Sequence, residues 1–263
     1  MAYKRILLKL SGEALMGDST DNHHPRTIER ICNDIKQAWD AGHEIGIVVG
    51  GGNIYRGIYA KPMGIDRVSG DYMGMLATAI NALALQSKLE SIGVDTRVQS
   101  AIPMTSICEM YIRRRAIRHI KKNRIVIFAC GTGNPFFTTD AGAALKASEI
   151  DADVIVKCTQ VDGVYDDDPK ANPNAKHYKT LTYREVINRD LKVMDTAAIT
   201  LARDNQIPII VFDVHNEGAL LEVLQGKGKF TVINGKSAAS QKEADPEVAT
   251  IGKVVDNLDV DDK

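Results

Sequence analysis

An α/β class, as a three-layer αβα sandwich with a mainly parallel central sheet, follows from three features of this chain. Short runs rich in Ile and Val recur along its 263 residues, the pattern of strands buried on both faces. Longer stretches of helical periodicity separate them, and strand alternating with helix builds a parallel sheet covered on both sides. The loops after the strands carry glycine, hydroxyl and charge, and open α/β sheets hold ligands outside the carboxyl ends of their strands.

Taken in order, the first strand is expected over 3–10, running through Lys9 and Leu10 into "SGEAL". A helical pattern over 26–41 precedes a second strand at 44–49, which opens into "GGGNIYRG". The clearest helix is "DYMGMLATAINALALQSKLESI" at 71–92, followed by a third strand at 94–98 and a helix at 109–122. A fourth strand at 124–130 runs into "GTGNPFFTTD", whose end starts a helix over 138–150. The fifth strand, 153–158, leads into "TQVDGVYDDDP"; helices at 182–188 and 196–205, a sixth strand at 208–212 and a helix at 218–224 complete the pattern.

One domain is expected over 1–233. Beyond it, over 234–263, hydrophobic periodicity fades, acidic residues outnumber Lys, and Pro246 interrupts what remains. That composition predicts a polar, acidic, partly disordered tail with a short amphipathic piece at 248–258.

With 44% hydrophobic and 25% charged residues, the chain can bury one large core. A formal net charge of -1 gives no bulk attraction to nucleic acid or membrane, so neither is an expected partner and any anion must be met by local sites. Cys32, Cys108, Cys130 and Cys158 form no Cys-x-x-Cys pair and read as free thiols in a reducing compartment. The start, "MAYKRILLKLSGEAL", lacks the apolar core of a secretory signal, and no segment approaches the ~18 apolar residues of a membrane span. A soluble, unprocessed, cytoplasmic protein with a small-molecule partner is the expectation.

Glycines after a buried strand let backbone N–H groups approach a phosphate, and a following helix N-terminus adds a favourable dipole. Gly50 to Asn53, "GGGN", is such a candidate cradle, although glycines also make ordinary tight turns. Neither the G-x-x-x-x-G-K-[ST] phosphate loop nor the G-x-G-x-x-G dinucleotide fingerprint occurs. Lys9 followed by Ser11 and Gly12 places an ammonium and a hydroxyl at a strand's carboxyl end. Gly131 and Gly133 free the backbone of the fourth loop, where Thr132, Asn134, Thr138 and Thr139 supply neutral polar groups.

"KRILLKLSGEAL", "GIVVGGGNIYRG", "RVSGDYMGMLATAINALAL", "GTGNPFFTTDAGAALKASEI", "VDGVYDDDP" and "LKVMDTAAITLARD" together resemble the bacterial uridylate (UMP) kinases of the amino-acid-kinase fold, from about residue 3 to 233. The resemblance implies transfer of the ATP γ-phosphate to UMP, giving UDP and ADP in pyrimidine nucleotide biosynthesis. Lys9, Leu10, Ser11 and Gly12, with Gly52 and Arg56, match positions that hold the ATP phosphates. Thr159, Tyr165 and Asp168 match the adenine and ribose end. Gly51, Asp71 and the run Thr132, Gly133, Asn134, Pro135, Phe136, Phe137, Thr138 and Thr139 match the UMP site, with Asp71 at the ribose hydroxyls. Asp140 and Asp195 match carboxylates near the reaction centre, so Lys9, Arg56, Asp140 and Asp195 are the catalytic candidates.

Residue chemistry alone leaves some roles open. Asp168 before Pro169 is also an ordinary turn residue, Asp195 also suits a helix N-cap, and Lys157 is a secondary candidate for positive charge. Phe136 and Phe137 are expected to wedge the loop onto the core. No histidine falls in these motifs, and none is required: the second ionisation of a nucleotide phosphate lies near pH ~6, so UMP is already nucleophilic. Neutralising two anions is the enzyme's task, for Lys9, Arg56, the glycine amides and Mg²⁺ held through the nucleotide phosphates, without a dense protein ligand cluster. Asp195 first, and Asp140 second, is expected to orient Lys9 or hold a magnesium-bound water.

The resemblance also implies a homohexamer, feedback inhibition by UTP at the acceptor site, and GTP as an effector. Relatives carry a Gly-Phe-Gly-Ile-Asp type turn where this chain has "DSTDNHHP" at 18–25, so the GTP response is open; Arg97 matches an effector position and is the allosteric candidate. Two rival readings remain. Kinases of amino-acid or carbamate acceptors share the fold, but need fixed charges that "GTGNPFFTTD" lacks apart from Asp140. A binding or storage protein on the same fold has no use for Lys9, Arg56, Asp140 and Asp195 together.

Overall fold

A computed structural model describes residues 3–17, 20–57 and 60–235. The strands are β1 (Arg5–Leu10), β2 (Glu44–Val49), β3 (Thr96–Ser100), β4 (Glu109–Met110), β5 (Ile125–Ala129), β6 (Val154–Thr159), β7 (Val164–Tyr165), β8 (His177–Tyr178), β9 (Thr180–Thr182), β10 (Ile209–Asp213) and β11 (Thr231–Asn234). The helices are α1 (Pro25–Asp40), α2 (Arg67–Ser91), α3 (Arg113–Lys121), α4 (Thr139–Glu149), α5 (Tyr183–Asn188), α6 (Thr196–Asp204) and α7 (Ala219–Leu224). Nine strands form one sheet in the order β4-β3-β5-β2-β1-β6-β10-β11-β9, parallel except where β11 meets β10. β7 and β8 make a separate antiparallel hairpin.

Successive side chains of a strand point to opposite faces, so each inner strand feeds two cores. Ile6, Leu8 and Leu10 pack on one face with α1, α2 and α7. Leu7, Val48, Phe128, Ile155 and Val211 pack on the other, under α3, α4, α5 and α6. This is the three-layer arrangement expected from the alternation of strand and helix.

Lys9 follows Leu7 on the second face, and the β1–β6 register sets Lys9 directly against Lys157. Two adjacent ammonium groups are thus aimed under the helices that carry Asp140 and Asp195.

Several boundaries differ from expectation for local reasons. α2 begins at Arg67 rather than 71 because Asp66 caps it, accepting from the Ser69 N–H at 3.0 Å. The helix expected over 109–122 starts only at Arg113; Glu109 and Met110 instead pair with Gln99 and Ser100 as the edge strand β4. Thr182 and Glu185 form a reciprocal capping box that opens α5. The expected tail boundary falls inside β11, which runs through Asn234, while the amphipathic piece at 248–258 lies outside the described residues.

Candidate active site

Asp140 sits in the first turn of α4, whose N-cap is Thr138: the Thr138 hydroxyl accepts from the N–H groups of Asp140 at 3.1 Å and Ala141 at 3.2 Å. This places the Asp140 carboxylate between the paired lysines. Lys9 Nζ lies 2.7 Å from Oδ1 as an ion pair without a directed hydrogen bond, and Lys157 Nζ donates to Oδ2 at 2.9 Å. Lys157 also donates to the Val193 carbonyl.

All three side chains are at most 15% exposed, so water screens them little. Burial pushes the Asp140 carboxyl up, but the two ammonium charges outweigh it and hold the group below the usual carboxylate range. Burial lowers Lys157; Asp140 opposes that shift and Lys9 adds to it. Two cations flank one buried anion, and the Asp195 carboxylate also acts on Lys157 from the rim; Lys9 and Lys157 together present positive charge to an incoming anionic group.

The sequence ranks Asp195 ahead of Asp140 for orienting Lys9, but the carboxylate that meets Lys9 is Asp140. Asp195 is the N-cap of α6, accepting from the Ala198 N–H at 2.8 Å, and its other oxygen accepts from the Thr138 hydroxyl. It therefore ties the starts of α4 and α6 together at the pocket rim.

The loops after β1 and β2 lie against each other. Ser11 caps the short turn Gly12–Leu15, accepting from the Ala14 N–H at 3.2 Å. A Cβ on Gly12 would fall 2.9 Å from both the Gly50 carbonyl oxygen and the Gly52 nitrogen, so only glycine permits this approach. Arg56 spans the two loops, donating to the Gly52 carbonyl at 3.2 Å and to Glu13. Lys9 and Leu10 at the end of β1, Ser11, Gly12, Gly52 and Arg56 are thus one contiguous patch.

A cavity of about 660 Å³ opens beside it, past Lys157, lined by Thr159, Tyr165 and Asp168 together with Val161, Pro169 and Leu191. Thr159 Oγ1 donates to the Val161 carbonyl and accepts from the Val161 N–H, folding the loop back after β6. The Tyr165 hydroxyl is held by Asp162 and by Lys229, whose Nζ donates at 2.9 Å. Asp168 also keeps the turn role left open above: its carboxylate accepts from the Lys170 N–H at 2.9 Å.

On the other side, a cavity of about 150 Å³ is lined by Gly51, Asp71, Thr132, Asn134, Phe137, Thr138 and Thr139. Asp71 projects from α2 and accepts from the Phe136 N–H at 2.8 Å while pairing with Arg67 at 2.9 Å. Gly133, Pro135 and Phe136 belong to the same loop without lining the cavity. Phe136 and Phe137 are corrected as wedges: they are 65% and 58% exposed. Phe136 takes the left-handed φ of +72° to present its N–H to Asp71, which turns its ring outward beneath the Arg67 guanidinium.

Thr78 and Tyr55, which line the same cavity, and Asn81 beside it carried no sequence expectation; Asn81 hydrogen-bonds Asn53 of the expected cradle. Thr78 and Asn81 were findable, as polar residues three apart on the buried face of an otherwise apolar helix. Arg97 lies on β3, pairs with Glu90 at 3.6 Å and lines a separate cavity of about 600 Å³ with Gln86, Glu109 and Arg115.

The sequence model of the Amino acid kinase family matches residues 4–213. The uridylate kinase of Rickettsia typhi is 59% identical over 233 residues, covering 89% of this chain and 96% of that protein. The uridylate kinase of Rickettsia bellii is also 59% identical, with 98% of its length covered. Among solved structures, UMP kinase from Bacillus anthracis superposes with a TM-score of 0.87 at 42% identity, covering 89% of this chain and 97% of that one. UMP kinase from Ureaplasma parvum gives 0.85 at 38% identity, covering 89% and 100%.

Proposed function

Since the chain belongs to the amino acid kinase family, we propose a residue-level account of the reaction that family membership and its uridylate kinase relatives assign to it. It is an enzyme, a kinase that phosphorylates UMP in pyrimidine nucleotide synthesis. The observation that carries the residue-level account is the Lys9–Asp140–Lys157 cluster, set between the large cavity after β6 and the smaller one under α2.

In this account ATP lies with its adenosine along Thr159, Tyr165 and Asp168 and its phosphates over Lys9, Ser11, Gly12, Gly52 and Arg56. UMP lies in the opposite cavity, its ribose hydroxyls donating to Asp71 and its phosphate near Thr138, Thr139 and the start of α4. A UMP phosphate oxygen forms the new bond to the γ-phosphorus while the bond from that phosphorus to the β–γ bridging oxygen breaks, and ADP leaves with the electron pair. No base is needed, because the attacking phosphate is already ionised. Lys9, held by Asp140, neutralises charge as it spreads over the transferring group, and Arg56 does so from the other loop.

A divalent metal is consistent with a kinase that uses ATP, and Mg²⁺ fits the donors present. Asp140 is engaged by two ammonium groups, whereas the half-buried Asp195 at the rim is the carboxylate able to hold a metal-bound water beside the nucleotide phosphates. When bound, Mg²⁺ would supply charge neutralisation at the nucleotide phosphates.

Several wider features are part of the same proposal. Val68, Tyr72, Met73, Leu76 and Ile80 form an exposed apolar stripe along α2, which supports self-association and, with the family pattern, a homohexamer. UTP is proposed as a feedback inhibitor competing for the UMP site, and GTP as an effector acting near Arg97. No helix among the described residues is long and apolar enough to cross a membrane, and a cytoplasmic location is proposed.

The test is ADP release from Mg-ATP with UMP, CMP, dUMP, GMP, aspartate and N-acetylglutamate offered separately. Release with UMP well above the others supports the reading; release with an amino acid and none with UMP overturns it.

A further inference from the structure

Asn81, in the middle of α2, is fully buried on a helix face that is otherwise built to pack against the sheet. A buried amide is costly unless its hydrogen-bonding capacity is used, and here all of it is. Nδ2 donates to the Gly50 carbonyl at 2.6 Å and to Asn53 Oδ1 at 2.7 Å. Oδ1 accepts from Asn53 Nδ2 at 3.1 Å and meets His23 Nε2 at 2.6 Å. A carbonyl only accepts, so the Gly50 oxygen fixes which end of the amide is which, and His23 must be the donor to Oδ1. Asn53 Nδ2 also donates to the Asn22 carbonyl at 2.7 Å.

The position of this network matters more than its strength. The Gly50 carbonyl and the Gly51 N–H belong to one planar trans peptide and point in opposite directions. Holding the oxygen against Asn81 therefore sets the direction of the Gly51 N–H. The same loop is packed on Gly12, where the Gly50 and Gly52 backbones leave no room for a side chain. Fixing Gly50 fixes the relation of both glycine loops. His23 and Asn22 extend the network to the segment immediately before α1.

We propose that Asn81 is a positioning residue for phosphoryl transfer: it orients the Gly50–Gly51 peptide and clamps the 50–53 loop onto Gly12, and through Asn53 and His23 it couples that loop to residues 22–23. The proposal rests on the assignment of Gly12 and Gly52 to the ATP phosphates and of Gly51 to the UMP site. A core residue of the same shape would fill the space equally well; what the amide adds is orientation.

Three variants test it: Asn81→Leu, which keeps the branched heavy-atom shape and removes the hydrogen bonds, and Asn53→Ala and His23→Ala, which reach the network from its partly exposed end. Steady-state KM for ATP and for UMP, the Kd of Mg-ADP by titration calorimetry, and Tm are measured for each. We expect Asn81→Leu to raise KM for ATP, KM for UMP and the Kd of Mg-ADP about tenfold, the loss typical of an unpaired buried acceptor. Asn53→Ala and His23→Ala should raise all three by a smaller factor with little change in Tm. The Asn53→Ala/Asn81→Leu double variant should be no worse than Asn81→Leu alone, because the two act as a unit.

Nucleotide constants that stay at the wild-type values while Tm falls would make Asn81 a core residue only and overturn the proposal. If Asn81→Leu does not fold, unchanged Mg-ADP affinity in Asn53→Ala overturns it alone. Wild-type protein that binds Mg-ADP without phosphorylating UMP would instead sink the functional reading, and the titration would still test the clamp.

Discussion

Asp140→Asn replaces the carboxylate between two buried ammonium groups with a neutral amide of the same shape. In the wild-type protein Lys9 and Lys157 lie 2.7 and 2.9 Å from that carboxylate, with side chains 8% and 14% exposed. Removing one partner of a buried ion pair costs about 3–5 kcal/mol, because the remaining charge is left unpaired. Here two like charges are left facing each other, so a loss of at least ~3 kcal/mol is expected, which for a domain of this size lowers Tm by roughly 6–12 °C.

Turnover should fall by about a hundredfold, the order seen when one preorganised electrostatic group is lost. Calorimetric unfolding and coupled ADP release measure the two effects separately. Adding Lys157→Met to the Asn variant should restore part of Tm without restoring turnover, since it relieves repulsion and leaves Lys9 unheld. An Asp140→Asn protein with wild-type Tm and turnover would refute the reasoning.

Asp195→Asn keeps a competent N-cap for α6, so Tm should hold while turnover drops far more than UMP affinity; equal losses in both would assign Asp195 to binding. Asp71→Asn should raise KM for UMP about tenfold and narrow the preference for UMP over dUMP, which paired kinetics with the two nucleotides would show. Burial pushes the Tyr183 phenol, whose hydroxyl donates to the Ile207 carbonyl at 2.6 Å, up to about 12. The unfolded chain therefore releases that proton first, and the contribution is complete below the ordinary phenol value and lost as pH rises toward about 12. Tyr183→Phe should flatten stability against pH across that window in denaturant titrations. Leu76→Glu with Ile80→Glu should shift the protein to a smaller species in sedimentation, if the α2 stripe is an interface.

The inner strands and α1, α2 and α4 were legible because each carries a long, consistent pattern. β7, β8, β9 and β11 were not, being two to four residues long and dependent on partners far along the chain. Lys9 stood out beside Ser11 and Gly12, but its pairing with Asp140 needed the packing of α4 on β1, and its pairing with Lys157 the β1–β6 register, neither of which a local pattern reveals. Glu109 read as the start of a helix because the apolar spacing continues past it; in the fold Gln99 and His119 claim its carboxylate and hold it at the sheet edge. Phe136 read as a wedge since aromatic rings usually seek the core, whereas the backbone conformation that delivers its N–H to Asp71 sends the ring outward.

The strand order has a consequence for synthesis on the ribosome. β1 is made first and sits near the middle of the sheet, yet of its two neighbours only β2 follows soon; β6 begins roughly a hundred residues after β2 ends, about 5–20 s at ordinary elongation rates. Until then the nascent chain carries an open β1 edge, flanked by apolar side chains and by a Lys9 without its counter-charge. Such an edge invites pairing with another chain. This protein should therefore depend on chaperone shielding most sharply between the emergence of β2 and β6, and chains stalled in that interval should be found in aggregates rather than in solution.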